Sequence, residues 1–210
     1  KTLFPYTTLF RSLGGEGGGV LADWLVMSAQ MRGLTVQATS VPGVAQRTGA
    51  TSYYVEWSRQ PVPAGQAGPV LALSPVPARV DVVIASEGLE AARMMERGFV
   101  TPELTTLIAS TSRVFTTQEK MHGADGRFDP QRIRTLALTL AKHAVLMDME
   151  ALTVQHQTVV SAVMFGAMAG AGVLPWTDEV SEAVIRASGK GVKASLAAYA
   201  AAKQDRKSVV

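Results

Sequence analysis

Hydrophobic and polar positions divide the chain into alternating helix-like and strand-like segments. Residues 20–32 place Val20, Leu21, Trp24, Leu25 and Met31 on one helical face, with Asp23, Gln30 and Arg32 largely off it, and Gly33 stops the helix. "LTVQATS" (34–40) alternates like a strand, and "TSYYVEW" (51–57) is rich in the β-branched and aromatic residues that suit one. "VPGVAQRTGA" (41–50) lies between them as a loop. "SRQPVPAGQAGP" (58–69) reads as a turn-rich excursion, and "VLALSP" (70–75) as a further short strand.

The second half repeats a strand-to-helix step. "VDVVIAS" (80–86) is a continuous apolar run of the kind buried on both faces of a sheet, and "EGLEAARMMERG" (87–98) is an acid-started helix ending at glycine. "TTLIAS" (105–110) is another buried strand, "RVFTTQEKM" (113–121) an extended arm, and "GADGRFDP" a turn before a helix from Pro130 to about His143. "AVLMDM" (144–149) closes the strand series. Two helices follow near the end, at about 177–188 and 190–202. Strands alternating with helices imply a three-layer α/β/α Rossmann-like domain with a mostly parallel sheet and a helical C-terminal portion. No internal repeat is visible.

"TVVSAVMFGAMAGAGVL" (158–174) is apolar on all sides and loaded with Gly, Ala and Ser. Its 17 positions fall short of the ~20 needed to span a bilayer, so a buried helix is expected. Gly166 and Gly170 sit one turn apart and would let another backbone come close, either within the domain or across a subunit boundary.

Composition removes several chemistries. The 210 residues are 47% hydrophobic and 18% charged, which is globular, and they include no cysteine. A cysteine-ligated iron–sulfur cluster, a thiolate zinc site, a disulfide framework and a cysteine nucleophile are thereby excluded, and a cytoplasmic location is expected. The chain also lacks asparagine, so it cannot carry the GDG-to-Asn motif by which thiamine diphosphate enzymes hold metal and diphosphate. The formal charge is +3, but residues 1–12 contribute +2 and residues 204–210 contribute +1, leaving 13–203 neutral. No basic stripe exists to track a phosphate backbone, so no nucleic-acid partner is expected. Both ends resemble translated sequencing-adaptor sequence of the kind that flanks metagenomic fragments, and 1–12 and 204–210 are read as non-native flanks of a single domain over 13–203.

The glycine run Gly14, Gly15, Gly17, Gly18 and Gly19 suggests a dinucleotide turn. Such a site wants a preceding strand, a following helix and an acid about 20 residues on, at the ribose. Only the helix is secure: the second strand ends in Ala38, Thr39 and Ser40, and Glu16 puts a carboxylate where phosphate oxygens would lie. No Gly-Lys-Ser/Thr closes a Walker pattern. A tight turn packing helix against sheet competes with some form of phosphate contact. His122, His143 and His156 show no metal-ligand spacing. Asp148 and Glu150 flank a strand end, where helix capping explains them as well as chemistry does. Arg47 is a cation in a loop at a strand's carboxyl end, suited to a carboxylate or phosphate, or else a solvent-exposed or paired arginine.

Four blocks, "GGEGGGVLADW", "TSVPGVAQRTGATSYYVE", "VDVVIASEGLEAARMMERGFVTPELTTLIAST" and "SAVMFGAMAGAGVLP", resemble in the same order the pyruvate/ketoisovalerate oxidoreductase gamma-type domain, as found in the beta subunit of indolepyruvate ferredoxin oxidoreductases. The likeness spans about residues 13–202. It implies a subunit of a 2-oxoacid:ferredoxin oxidoreductase. With an alpha partner holding thiamine diphosphate, Mg and iron–sulfur clusters, that enzyme would decarboxylate arylpyruvates with coenzyme A to acyl-CoA and CO2 and reduce ferredoxin. This chain would bind none of those cofactors alone and meet no membrane. By position, Gly14, Gly15, Gly17, Gly18 and Gln46, Arg47, Thr48, Gly49 would face the partner or the approach of coenzyme A. Glu16 departs from the glutamine common in the family. An autonomous nucleotide-binding protein and a noncatalytic assembly module are the competing classes.

Overall fold

The computed structural model describes residues 5–13, 17–41, 50–63, 65–112 and 130–205. Tyr6–Leu13 form β1, Gly18–Met31 α1, Val36–Val41 β2, Ala50–Trp57 β3, Val82–Ala85 β4 and Gly88–Glu96 α2. Thr106–Ser110 form β5, Pro130–Leu140 α3 and His143–Met147 β6, followed by Met149–His156 (α4), Val160–Gly170 (α5), Asp178–Ala187 (α6) and Val192–Gln204 (α7). The extended arm expected at 113–121 and the turn after it lie outside the described residues.

The strands make one sheet in the order β2-β3-β1-β4-β5-β6. β1, β4, β5 and β6 are parallel, while β3 runs antiparallel between β1 and β2. Thus the segment read as a flank supplies the strand at the centre of the sheet. Neighbouring residues along the parallel strands point to opposite faces, and both faces are covered. Phe10, Ile84 and Ile108 enter one core with residues of α1, α5, α6 and α7, whereas Leu9, Val83 and Leu107 enter a second with α2 and α3. This is the three-layer α/β/α arrangement, and it explains why these strands read as unbroken apolar runs.

α1 buries Leu21, Ala22, Trp24, Leu25, Ser28 and Ala29. Val20 and Met31, expected on that face, are exposed at 36% and 57%. The small Ser28 and Ala29 continue the row begun by Leu21 and Leu25, so the inward arc is rotated away from Val20 and Met31. Gly33, at φ 67°, ends the helix by donating its N–H to the Gln30 carbonyl. Residues 70–75 form no strand. Ala72 N–H donates to Glu56 Oε2, while Gln37 Nε2 donates to the Ala72 carbonyl and Thr39 Oγ1 to the Leu73 carbonyl. Side chains of β2 and β3 hold this segment across the sheet, without a backbone ladder. α3 stops at Leu140, short of His143, because Lys142 N–H donates to the Thr105 carbonyl at 2.9 Å and the chain has already joined β5.

α5 is buried from Val160 to Met168. A Cβ built on Gly166 would lie 2.2 Å from the Tyr199 carbonyl oxygen, and one on Gly170 2.7 Å from that of Lys203. The backbone that the two glycines admit is therefore α7 of the same domain. Asp178, at the start of α6, accepts hydrogen bonds from Lys203 and Tyr199, which together hold its carboxyl below the usual aspartate range. Among the described residues, no helix is long and apolar enough to cross a membrane.

Candidate functional site

After β1 the chain passes over one face through α1 and out to β2; after β4 it passes over the other face through α2 and on to β5. Strand order therefore reverses between β1 and β4, and the carboxyl ends of these two strands border the crevice where open α/β sheets bind their ligands. Gly17 and Gly18 rim it from the β1 side, and Ser86, Glu87 and Gly88 from the β4 side. Ser86 N–H donates to the Arg11 carbonyl at 3.1 Å across the two strands.

The glycines at this rim are packed. Gly17 caps α1 at φ 89°, a conformation that favours glycine, and its carbonyl accepts from Val20 N–H and from Ser161 Oγ of α5. A Cβ at Gly18 would sit 2.1 Å from Ser12 Oγ and 2.5 Å from the Tyr53 ring. Gly19, by contrast, meets only the Tyr53 hydroxyl, at 4.0 Å. Gly19→Ala is therefore expected to stabilise the chain by about 0.5–1 kcal/mol through helix propensity, while Gly18→Ala destabilises it; thermal unfolding of the two variants checks both signs.

Carboxylates along the same crest are committed to helix starts. Glu87 accepts from Leu89 N–H and Glu90 N–H, and Asp148 accepts from Ala151 N–H at 2.9 Å. Capping is thus the observed role of Asp148, and Glu150 lies in the first turn of the helix it caps. Ser110 Oγ accepts from Ser112 N–H and Met149 N–H, tying the end of β5 to the start of α4. A cavity of about 300 Å³ opens beside it on the α2/α3 face, lined by Gly88, Ser110, Thr111, Gln131 and Arg134 over an apolar floor.

Beneath the crest lies an ion pair that sequence reasoning missed. Arg11 Nε approaches Glu90 Oε2 at 2.9 Å, with side-chain exposures of 7% and 1%, and Arg93 reaches the other Glu90 oxygen. Burial pushes the Arg11 guanidinium below its ordinary value, against the opposing pull of Glu90. An arginine remains charged there nonetheless. Glu90 reads in sequence as one more acid in a helix's first turn, and only the β1–α2 packing gives it a buried partner.

Of the eight loop residues singled out in the sequence, Gly17 and Gly18 stand at the switch point. Gly14, Gly15, Gln46, Arg47, Thr48 and Gly49 lie outside the described residues, as does His122. Ala50, which follows the Gln46–Gly49 segment, pairs with Leu13 at the carboxyl end of β1. Among the described residues no three His, Cys, Asp or Glu side chains gather as metal ligands.

Fold and crest together define a doubly wound α/β domain with a switch point between its two innermost parallel strands. The family model for pyruvate ferredoxin/flavodoxin oxidoreductase matches residues 7–204, and the chain belongs to that family of 2-oxoacid:ferredoxin oxidoreductases. No curated protein sequence matches it. Among solved structures it is similar to the pyruvate oxidoreductase subunit PORC of Thermotoga maritima, with TM-score 0.60, 15% identity, and coverage of 99% of this chain and 98% of that one. It is also similar to the keto/oxoacid ferredoxin oxidoreductase gamma subunit of Geobacter sulfurreducens, with TM-score 0.52, 13% identity, and coverage of 94% and 98%. A third structure is the 2-oxoglutarate:ferredoxin oxidoreductase of Magnetococcus marinus with 2-oxoglutarate, coenzyme A and succinyl-CoA bound. There the TM-score is 0.64 and the identity 14%, over 95% of this chain but only 30% of the other.

Proposed function

We propose that this chain is the gamma-type subunit of an indolepyruvate ferredoxin oxidoreductase, acting in the cytoplasm. With an alpha subunit that carries thiamine diphosphate, magnesium and iron–sulfur clusters, it would serve the oxidative decarboxylation of indolepyruvate and other arylpyruvates. Coenzyme A accepts the acyl group, CO2 leaves, and two electrons pass to ferredoxin. The family match over residues 7–204 supports the 2-oxoacid:ferredoxin oxidoreductase part of this reading, and the resemblance of the four sequence blocks is what points to indolepyruvate. The composition supports the division of labour, since a chain without cysteine offers no thiolate to a cluster and one without asparagine cannot complete the diphosphate motif.

In this reading Gly14, Gly15, Gly17, Gly18 and Gln46 to Gly49 would meet the alpha subunit or the incoming coenzyme A. The packing of Gly17 against Ser161 and of Gly18 against Ser12 and Tyr53 favours a rigid docking turn over a self-sufficient nucleotide cradle. We further propose that the evolved sequence of the domain is residues 13–203, with 1–12 and 204–210 foreign in origin although 6–12 fold as part of β1. Support for that boundary comes from β1. Among the described residues, the buried side-chain polar atoms lacking a hydrogen bond include Thr8 Oγ1, Arg11 Nε and Nη1, and Ser12 Oγ, an unusual concentration for a central strand.

The test is ferredoxin reduction by the complex of this chain with its alpha subunit, with coenzyme A and a panel of 2-oxoacids. Indolepyruvate is expected to give the highest kcat/KM. A complex that turns over pyruvate or 2-oxoglutarate but no arylpyruvate would contradict the substrate assignment while leaving the family membership untouched.

A further inference from the structure

α5 is apolar along its buried length except for one hydroxyl. Among the residues it buries from Val160 to Met168, Ser161 alone carries a polar side chain. That hydroxyl, on a residue with no exposed surface, donates to the Gly17 carbonyl at 2.5 Å and joins α5 to the switch-point turn across 144 positions of sequence. The bond is not needed to satisfy the carbonyl, which already accepts Val20 N–H at 2.8 Å. What it adds is direction. Gly17 stands at φ 89° and no side chain caps α1, so the turn has little torsional restraint of its own. The peptide is planar and trans, so holding the Gly17 carbonyl toward α5 points the Gly18 N–H the opposite way, off the start of α1. α5 is a firm anchor for this, because Gly166 and Gly170 seat it against the backbone of α7.

We propose that Ser161 is a positioning residue: it fixes the Gly17–Gly18 peptide in the orientation that coenzyme A meets, without itself touching the ligand. The inference rests on the proposed function, in which this turn faces the alpha subunit or the incoming coenzyme A. Of those two contacts, the small ligand is the one that a single peptide's direction governs. A protein interface spreads over roughly 20–30 residues a side, and one reoriented peptide at its margin is felt little.

Two measurements on Ser161→Ala test this, with Ser181→Ala as the control. Ser181 is likewise buried, and its replacement removes a hydrogen bond from Trp176 Nε1 at 3.1 Å while leaving the Gly17 carbonyl alone. In the full chain, hydrogen exchange of the Val20 amide is expected to quicken about tenfold in Ser161→Ala and to hold steady in Ser181→Ala, because a released Gly17 carbonyl no longer retains its other donor. In the complex with the alpha subunit, KM for coenzyme A is expected to rise about tenfold in Ser161→Ala, while kcat and KM for the 2-oxoacid change by less than about twofold. Equal Val20 exchange in the two variants would overturn the positioning role, whether or not the complex turns over. A KM for coenzyme A that moves no further than in Ser181→Ala, or only together with kcat and the other KM, would reduce Ser161 to a structural part. Weaker binding of the alpha subunit with an unchanged KM for coenzyme A would overturn the choice of ligand and give the turn to the partner. A wild-type complex inactive with every 2-oxoacid would defeat the functional reading instead, and Val20 exchange would then decide the positioning role by itself.

Discussion

Gly166→Val is expected to lower the stability of the domain by at least about 3 kcal/mol, read as a fall in Tm of roughly 10 °C. A Cβ at this position would lie 2.2 Å from the Tyr199 carbonyl oxygen and 2.9 Å from both Tyr199 Cα and carbonyl carbon. These are backbone atoms of α7, so no side chain can swing aside, and the two helices must part. Parting them also loosens Phe165, whose ring lies 5.8 Å from that of Trp24 and 5.5 Å from that of Tyr199. Gly166→Ala should show most of the same loss, because the first carbon already collides, while Gly19→Ala reports on an unobstructed helical glycine. An unchanged Tm in both Gly166 variants would mean that α5 and α7 are not in backbone contact.

Glu90→Ala is expected to cost about 3–5 kcal/mol, the range for removing one partner of a buried ion pair. It strands Arg11, whose Nε and Nη1 already lack hydrogen bonds, in a site with 7% side-chain exposure. The double replacement Arg11→Leu with Glu90→Leu should recover most or all of that loss, since an apolar pair avoids the desolvation that both charges suffer. Chemical denaturation of the three variants decides the matter. If the double variant is as unstable as Glu90→Ala, the pair contributes more than it costs, and β1 is better matched to its site than its orphaned polar atoms suggest.

Much of the architecture was legible because the parallel strands are buried on both faces. Such strands leave unbroken apolar runs, and "VDVVIAS" and "TTLIAS" mapped directly to β4 and β5. The close-approach role of Gly166 and Gly170 was equally readable, but the identity of the approaching backbone was not, because the residues they meet, Tyr199 and Lys203, each lie 33 positions further along the chain. Val20 and Met31 were misplaced because a helix's inward arc is set by where small residues fit, and Ser28 and Ala29 define it here. "VLALSP" reads like a strand because four apolar residues run together between turn signals. Its neighbours hold it by side-chain hydrogen bonds, which leave no period in the sequence. At the crest, Asp148 carried both a capping and a chemical meaning until the Ala151 N–H hydrogen bond chose between them. The buried meeting of Arg11 with Glu90 depends on β1 lying beside β4, a long-range pairing that no local pattern announces.

The chain belongs to the 2-oxoacid:ferredoxin oxidoreductases, and we propose that it completes their activity only with an alpha partner. The most direct test is reconstitution: ferredoxin reduction with indolepyruvate and coenzyme A, measured for each chain alone and for the co-expressed pair. The account predicts turnover for the pair and none for either chain by itself. Full activity in the alpha subunit alone would contradict it.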